Sequence, residues 1–176
     1  VQFLEDIPSK RKLYFVQSDE RRFFEKKDSH YIEEVEKTYK SNYEFFTMAK
    51  WIQKWLKEEF NKDAYYVPNG LDTEIFHKTK PLEEKSNKLR VLIEGPIDIW
   101  FKGMHDAYAA VRNLDVELWI ISSAGRPPSY WRYKRFFEKV PIAKMKEIYS
   151  SCDVLLKMSR VEGFFGPPLE AMACGC

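Results

Sequence analysis

The residues best suited to chemistry lie in the segment Glu162-Gly-Phe-Phe-Gly-Pro-Pro-Leu-Glu170. Gly163 and Gly166 expose backbone N–H groups, and one of the two prolines can occupy the first turn of a helix, where a missing N–H costs little. The segment therefore predicts a helix N-terminus whose positive end suits an anion such as a diphosphate. The acids at its two ends are too far apart to be simple helical neighbours, but a tight loop can bring both toward one pocket.

Two further segments follow predicted strands and carry charge or glycine. Gly95 is followed by an irregular stretch and then by Lys102-Gly103, at the predicted start of a helix. A lysine at that place opposes the helix dipole, which favours a functional role for it. Ala124-Gly125-Arg126 follows another strand. Ligands of open parallel sheets bind beyond the carboxyl ends of the strands, so we expect these segments to share one edge of a sheet.

The elements that must position these residues are predicted from hydrophobic periodicity. Strands are predicted at 12–18, 43–48, 89–95, 116–122, 136–140 and 153–158, and helices at 30–40, 50–61, 102–114, 142–151 and 167–174. Strands that alternate with helices of this length indicate a parallel sheet covered on both faces. The predicted fold class is therefore α/β, Rossmann-like, with helices on both faces of the sheet.

One segment predicts a junction between two domains. Pro68-Asn69-Gly70 is a turn signal, because proline fixes φ and Asn-Gly tolerates positive φ. The polar run 78–88 beyond it has the composition of a solvated connector. We place the boundary near residue 65, with one domain at 1–65 and a second at 66–176, and we expect the chain to be truncated at both ends.

Composition excludes several classes of protein. The formal net charge is only +2 and the charges are interspersed, so the sequence lacks the clustered basic residues that are typical of nucleic-acid-binding proteins. Cys152, Cys174 and Cys176 suggest neither a disulfide framework nor, with isolated histidines, a zinc site. No apolar run approaches the length of a membrane span. We expect a cytoplasmic protein without a metal site.

Three blocks in series resemble family 4 glycosyltransferases, which are retaining enzymes of the GT-B fold. They are Tyr66-Val-Pro-Asn-Gly-Leu-Asp-Thr-Glu-Ile-Phe76, then Gly95 with Lys102-Gly103, and finally the segment from Glu162 through Ala-Met-Ala-Cys-Gly175. Their order and spacing cover about residues 43 to 176. The resemblance implies transfer of a sugar from a nucleotide diphosphate sugar to a saccharide or lipid-linked acceptor, with retention, as in polysaccharide biosynthesis. It implies an acceptor-binding first domain and a donor-binding second one.

The same resemblance implies roles for individual residues. Glu162 and Glu170 occupy the family's pair of glutamates, so Glu170 would accept hydrogen bonds from the ribose hydroxyls of the donor. Glu162 would contact the transferred sugar, together with the N–H groups around Gly163, Phe164 and Phe165. Lys102 would stabilise the diphosphate as its charge grows. No Asp-x-Asp motif follows a strand, so we expect a metal-independent reaction that needs no cofactor beyond the donor.

One departure from the family pattern leaves alternatives open. Pro96 stands where the family carries an arginine for the diphosphate, and Arg160 or Arg126 could replace that cation. A non-catalytic partner subunit and a GT-B nucleotide-sugar epimerase are the alternatives to a transferase. The basic helix predicted at 50–61 either packs on a sheet, which we favour, or makes a peripheral contact at the inner face of the membrane.

Overall fold

The computed structural model describes residues 6–176, so the first five residues of the predicted first domain lie outside the described residues. The chain divides into two compact units. The first contains the residues up to Gly70 together with Val161–Phe164. The second contains Leu71–Arg160 and Phe165–Cys176.

Within residues 6–70 and 161–164, the first unit has a parallel sheet of three strands and two α-helices. Its elements are β1 (Leu13–Val16), α1 (Ser29–Lys40), β2 (Glu44–Thr47), α2 (Lys50–Phe60) and β3 (Ala64–Tyr66), and the strand order is β1-β2-β3. Val16 and Phe45 face Ile52 and Leu56 of α2 in one buried cluster. The basic helix therefore packs its apolar face inside this unit, as we favoured from the sequence.

The second unit is built on a four-stranded parallel sheet. Its elements are β4 (Arg90–Glu94), α3 (Met104–Val111), β5 (Glu117–Ser122), β6 (Arg135–Glu138), α4 (Ile142–Ser151), β7 (Val154–Leu156) and α5 (Gly166–Ala173). The strand order is β6-β5-β4-β7, and every pairing is parallel. A 3₁₀ turn at Trp100–Lys102 precedes α3.

Buried side chains cover both faces of this second sheet. Along β4, Leu92 lies in a cluster with residues of α4 and α5, whereas Val91 and Ile93 lie in another with residues of α3. Successive side chains of a strand point to opposite faces, so helices cover the sheet on both sides. The predicted α/β fold, a Rossmann-like parallel sheet with helices on both faces, is confirmed. No helix among residues 6–176 has the length and apolarity to cross a bilayer.

The predicted turn at Pro68-Asn69-Gly70 is wrong. The stretch 67–70 has no turn, and neither Asn69 nor Gly70 has a positive φ. The N–H of Val67 donates to the carbonyl of Thr47 at 2.9 Å, which continues the β2–β3 ladder and keeps the chain extended. The first turn after β3 comes at 73–75, where the carboxylate of Asp72 accepts from the N–H groups of Glu74 and Ile75.

The polar run 78–88 is exposed along much of its length, but hydrogen bonds attach it to the rest of the second unit. The N–H of Thr79 donates to Ser150 Oγ, and the N–H of Leu82 donates to the carbonyl of Glu147. Arg90, which is 1% exposed, donates to the carbonyl oxygens of Glu83 and Ser151. The run is therefore part of the second unit and not the solvated connector that its composition predicted.

Candidate functional site

The second sheet has a point where the strand order reverses. From β4 the chain continues to β5 and β6 on one side, and it later returns to place β7 on the other side of β4. In open parallel sheets, ligands bind in the crevice beyond the carboxyl ends of the strands at such a point. The loop after β4 and the loop after β7 therefore flank the position where a ligand of this unit is expected.

Hydrogen bonds and close packing hold the loop after β4 against the chain that follows β7. Gly103 has φ 66°, and a Cβ there would lie 2.0 Å from the carbonyl oxygen of Met158. The hydroxyl of Ser159 donates to the carbonyl of Lys102 at 3.4 Å, and the N–H of Arg160 donates to the carbonyl of Phe101 at 2.8 Å. These contacts hold the end of the loop, with Lys102, against the chain that follows β7, whereas Gly95 directly follows β4.

The start of the helix that follows differs from the sequence prediction. Lys102 ends the 3₁₀ turn, Gly103 is the left-handed cap, and α3 begins only at Met104. Lys102 therefore precedes α3 and opposes its dipole less directly than the sequence implied. Its ammonium nitrogen lies 5.5 Å from the ring centroid of Phe101.

Glu170 takes part in a cluster of partly buried side-chain oxygen atoms. It lies one turn into α5, and its Oε2 is 3.2 Å from the hydroxyl of Tyr149 on α4. The same hydroxyl lies 2.7 Å from Oε2 of Glu94, the last residue of β4. Burial raises the pKa of both carboxyl groups, although the Tyr149 hydroxyl and the charge of Lys157 act in the opposite direction. Burial also raises the pKa of Tyr149.

Lys157 is the cation that the structure places at this cluster. It directly follows β7, and its ammonium donates to the carbonyl of Glu94 at 3.0 Å. Its nitrogen also lies 6.0 Å from the ring centroid of Phe165, the exposed residue before α5. Gly166 is the first residue of α5, and prolines occupy its first turn, as the sequence predicts.

The two arginines considered as replacements for the missing family arginine are both engaged in ion pairs. Arg126 forms a bidentate ion pair with Glu138, in which two guanidinium nitrogens lie 2.6 and 3.3 Å from the carboxylate oxygens. Arg160 contacts Asp106 at 2.6 Å. Neither side chain is therefore available for a diphosphate without first leaving its carboxylate.

Glu162, Gly163 and Phe164 belong to the first unit. The indole N–H of Trp51 donates to the carbonyl of Gly163 at 3.0 Å. A Cβ on Gly163 would lie 1.5 Å from the carbonyl oxygen of Gln17, so close packing alone requires glycine there. Phe164 packs against the buried cluster of this unit. Because Lys102 and Glu170 belong to the second unit, a common cleft for all three charged residues stays a prediction.

Sequence reasoning missed Glu94, Tyr149 and Lys157. The positions of Glu94 and Lys157 could have indicated them, because each lies at the carboxyl end of a strand. Glu94 is the last residue of β4, and Lys157 directly follows β7. Tyr149 had none, because its hydroxyl reaches the cluster from a helix whose local pattern shows only an apolar face. Among residues 6–176, no group of three or more potential metal ligands is gathered. Cys152 and Cys174 are buried, and burial raises the pKa of both thiols.

No family model matches the sequence, and no curated protein matches it. Among solved structures, the chain is similar to the sucrose-phosphate synthase from Thermosynechococcus elongatus, with a TM-score of 0.78 and 17% sequence identity. The match covers 99% of this chain and 51% of that chain, so the chain spans about half the length of its structural neighbour. At this identity the likeness establishes the fold alone.

Proposed function

We propose that this protein is a glycosyltransferase that moves a sugar from a nucleotide diphosphate sugar to an acceptor. The observation that carries the proposal is the reversal of strand order in the second sheet, where Lys102 and Glu170 follow the carboxyl ends of β4 and β7. This is where parallel sheets bind nucleotides. The structural neighbour supports the proposal, because its name describes the synthesis of a sugar phosphate.

The donor is held by complementary charges in the second unit. The N-terminus of α5 and the ammonium of Lys102 face the diphosphate, and Glu170 accepts hydrogen bonds from the ribose hydroxyls. Gly95, Gly103, Phe165 and Gly166 shape the loops around the donor. Lys157, at the end of β7, is a further cation for this site.

In the reaction, the bond between the anomeric carbon and the diphosphate oxygen breaks while the acceptor oxygen bonds to that carbon. Lys102 and the backbone N–H groups at α5 stabilise the growing charge on the departing diphosphate. No divalent ion takes part, and the configuration at the anomeric carbon is retained. Glu162, with Gly163 and Phe164, contacts the transferred sugar.

The first unit binds the acceptor, which is a saccharide or a lipid-linked saccharide. Lys50, Lys54 and Lys57 lie on the exposed side of α2, where Lys54 pairs with Glu58 and Lys57 with Asp63. Because the apolar face of α2 is buried, its attraction to an anionic surface comes from charge alone. We place the protein in the cytoplasm, in polysaccharide biosynthesis, with a peripheral contact at the inner face of the membrane.

Calorimetry with UDP, GDP and ADP tests the donor site. We expect one of them to bind, and we expect Glu170→Ala to weaken that binding about tenfold or more, because hydrogen bonds from the ribose to a carboxylate are lost. Glu147→Gln, on the neighbouring helix α4, is the matched control and should bind as the unmodified protein does. Unchanged affinity of Glu170→Ala would remove the assignment of the donor site.

A non-catalytic partner subunit is the second candidate. It is favoured by Pro96 and by the ion pairs that engage Arg126 and Arg160, since the diphosphate then has fewer cations. Binding of a nucleoside diphosphate without turnover of any nucleotide sugar would support it. Release of free sugar or an epimer without consumption of acceptor would instead identify an epimerase.

A further inference from the structure

The hydroxyl of Tyr149 lies between two carboxyl groups, and this arrangement determines how many protons the cluster holds. It is 2.7 Å from Glu94 Oε2 and 3.2 Å from Glu170 Oε2. A phenol has a single proton, so it donates to only one of the two. The shorter contact marks Glu94 as the acceptor. The contact with Glu170 is then a hydrogen bond only when the carboxyl group of Glu170 itself carries a proton and donates to the phenol oxygen.

The surroundings favour this extra proton. Tyr149 has no exposed surface, and Glu94 and Glu170 are both partly buried. Among residues 6–176, the charged or titratable groups that act on the cluster include Lys157, which follows β7, and Cys174, which follows α5. Burial raises the pKa of both carboxyl groups and exceeds the opposing effects of Lys157 and the phenol. Two negative charges on either side of one hydroxyl are therefore disfavoured in the absence of a ligand.

We propose that Tyr149 is a positioning residue for Glu170, and that the Glu94–Tyr149–Glu170 cluster couples the binding of a ribose diol to the release of one proton. The inference rests on the proposed donor site. When the diol arrives, its hydroxyl groups donate to Glu170 and replace the carboxyl proton, which passes to solvent. The proton of Tyr149 stays with the phenol and is donated to Glu94, and Lys157 offsets the added negative charge.

This coupling makes the site selective for ribonucleotides in a manner that depends on pH. A 2′-deoxyribonucleotide has one hydroxyl fewer to replace the carboxyl proton. The affinity for a ribonucleoside diphosphate should therefore rise with pH until the cluster has lost its proton, and then become constant. The affinity for the 2′-deoxy analogue should rise less.

Calorimetry of the protein in two buffers with different ionisation enthalpies tests the proton release. The probes are UDP, GDP and ADP, and the 2′-deoxy form of whichever binds, from about pH 5.5 to about pH 8. We expect the heat to differ between the buffers where the cluster still holds its proton, by up to the equivalent of one released proton, and the difference to vanish at higher pH, where the affinity becomes constant. In Glu94→Gln the amide oxygen accepts from Tyr149 without a negative charge. Glu170 then has one negative neighbour fewer and holds its proton less tightly, so the difference between buffers should become smaller at each pH. In Tyr149→Phe the preference for ribose over deoxyribose should fall from about tenfold to below about threefold.

The outcomes separate the two proposals. If a ribonucleotide binds with the same heat in both buffers and with an affinity independent of pH, the coupling is wrong while the donor site stands. If none of the three nucleotides binds at any pH, the donor site is wrong and the coupling falls with it. Because the unmodified protein alone decides the coupling, a variant that fails to fold does not weaken the test.

Discussion

The guanidinium of Arg90 lies over the indole ring of Trp119, with Cζ 4.4 Å from the ring centroid. Both residues are almost fully buried. The guanidinium also donates to Glu117 Oε2 at 2.9 Å and to three backbone carbonyl groups, those of Glu83, Glu84 and Ser151. A planar fork of five donors suits this set, whereas an ammonium offers three donors at one point. Arg90 thus joins β4, β5, α4 and the run 78–88.

Arg90→Lys should therefore destabilise the protein. We expect a loss of about 2–4 kcal/mol in the free energy of unfolding, because several buried acceptors lose their donor. Urea denaturation followed by circular dichroism measures it. Arg11→Lys is the control, since Arg11 also pairs with a glutamate, Glu44, but is exposed, and exposed pairs contribute little. Equal stability of the two variants would show that the Arg90 network adds nothing.

Most strands and helices could be predicted from the sequence, because they have strong local patterns. The strand β3 was not predicted, because three residues are too few to show an alternation, and α3 is shorter at both ends than predicted. The run Val91-Leu92-Ile93 is apolar on both sides, as expected of a strand buried on both faces. The helix at Lys50–Phe60 ends where predicted to within a residue, because Asn61 adopts a left-handed conformation and its N–H donates to the last turn.

Contacts between elements could not be predicted in this way. Tyr149 and Glu94 are 55 positions apart in the sequence, and the hydrogen bond between them depends on how α4 packs against β4. The turn near residue 70 was misplaced for a similar reason. A hydrogen bond from Val67 to the neighbouring strand keeps the chain extended and outweighs the local preference of Asn-Gly.

Gly103→Ala should destabilise the second unit. The new Cβ would lie 2.0 Å from the carbonyl oxygen of Met158, and φ of 66° is unfavourable for alanine, so the backbone must shift. We expect a loss of about 2 kcal/mol or more. Gly70→Ala is the matched control, because nothing lies within 4 Å of its added Cβ and its φ is not positive. Thermal unfolding should show a lower midpoint for the first variant and an equal or slightly higher one for the second.

The stability of the protein should fall as pH rises above the ordinary pKa of a glutamate. Burial raises the pKa of Glu94 and of Glu170 above the ordinary value of 4.5, so the folded cluster binds more protons than the unfolded chain between the ordinary and the raised values. The free energy of unfolding then decreases with pH in that window. Glu94→Gln removes one of these two coupled carboxyl groups, so its stability should vary less from about pH 4.5 to about pH 8.

Glu117→Gln provides the opposite case. Hydrogen bonds from Lys134 and Arg90 lower the pKa of Glu117, so its contribution is present above the ordinary value and is lost as pH falls. In Glu117→Gln the free energy of unfolding should therefore depend less on pH at acid pH. Its decrease as pH rises toward neutral should remain. Urea titrations of the three proteins at each pH measure both effects, and identical slopes for the unmodified protein and Glu94→Gln would contradict the assignment to Glu94.

Lys102→Met should weaken the binding of the nucleoside diphosphate that the protein accepts. The substitution keeps most of the apolar stem and removes the ammonium, so the diphosphate loses one charged donor and the affinity should fall about tenfold. The loss should be larger at low ionic strength, because salt screens an exposed interaction of this kind. Lys144→Met is the control: Lys144 is an exposed lysine of the same unit that pairs with Glu147 on α4. Titration calorimetry at two salt concentrations makes the comparison, and equal affinities for both variants would remove Lys102 from the donor site.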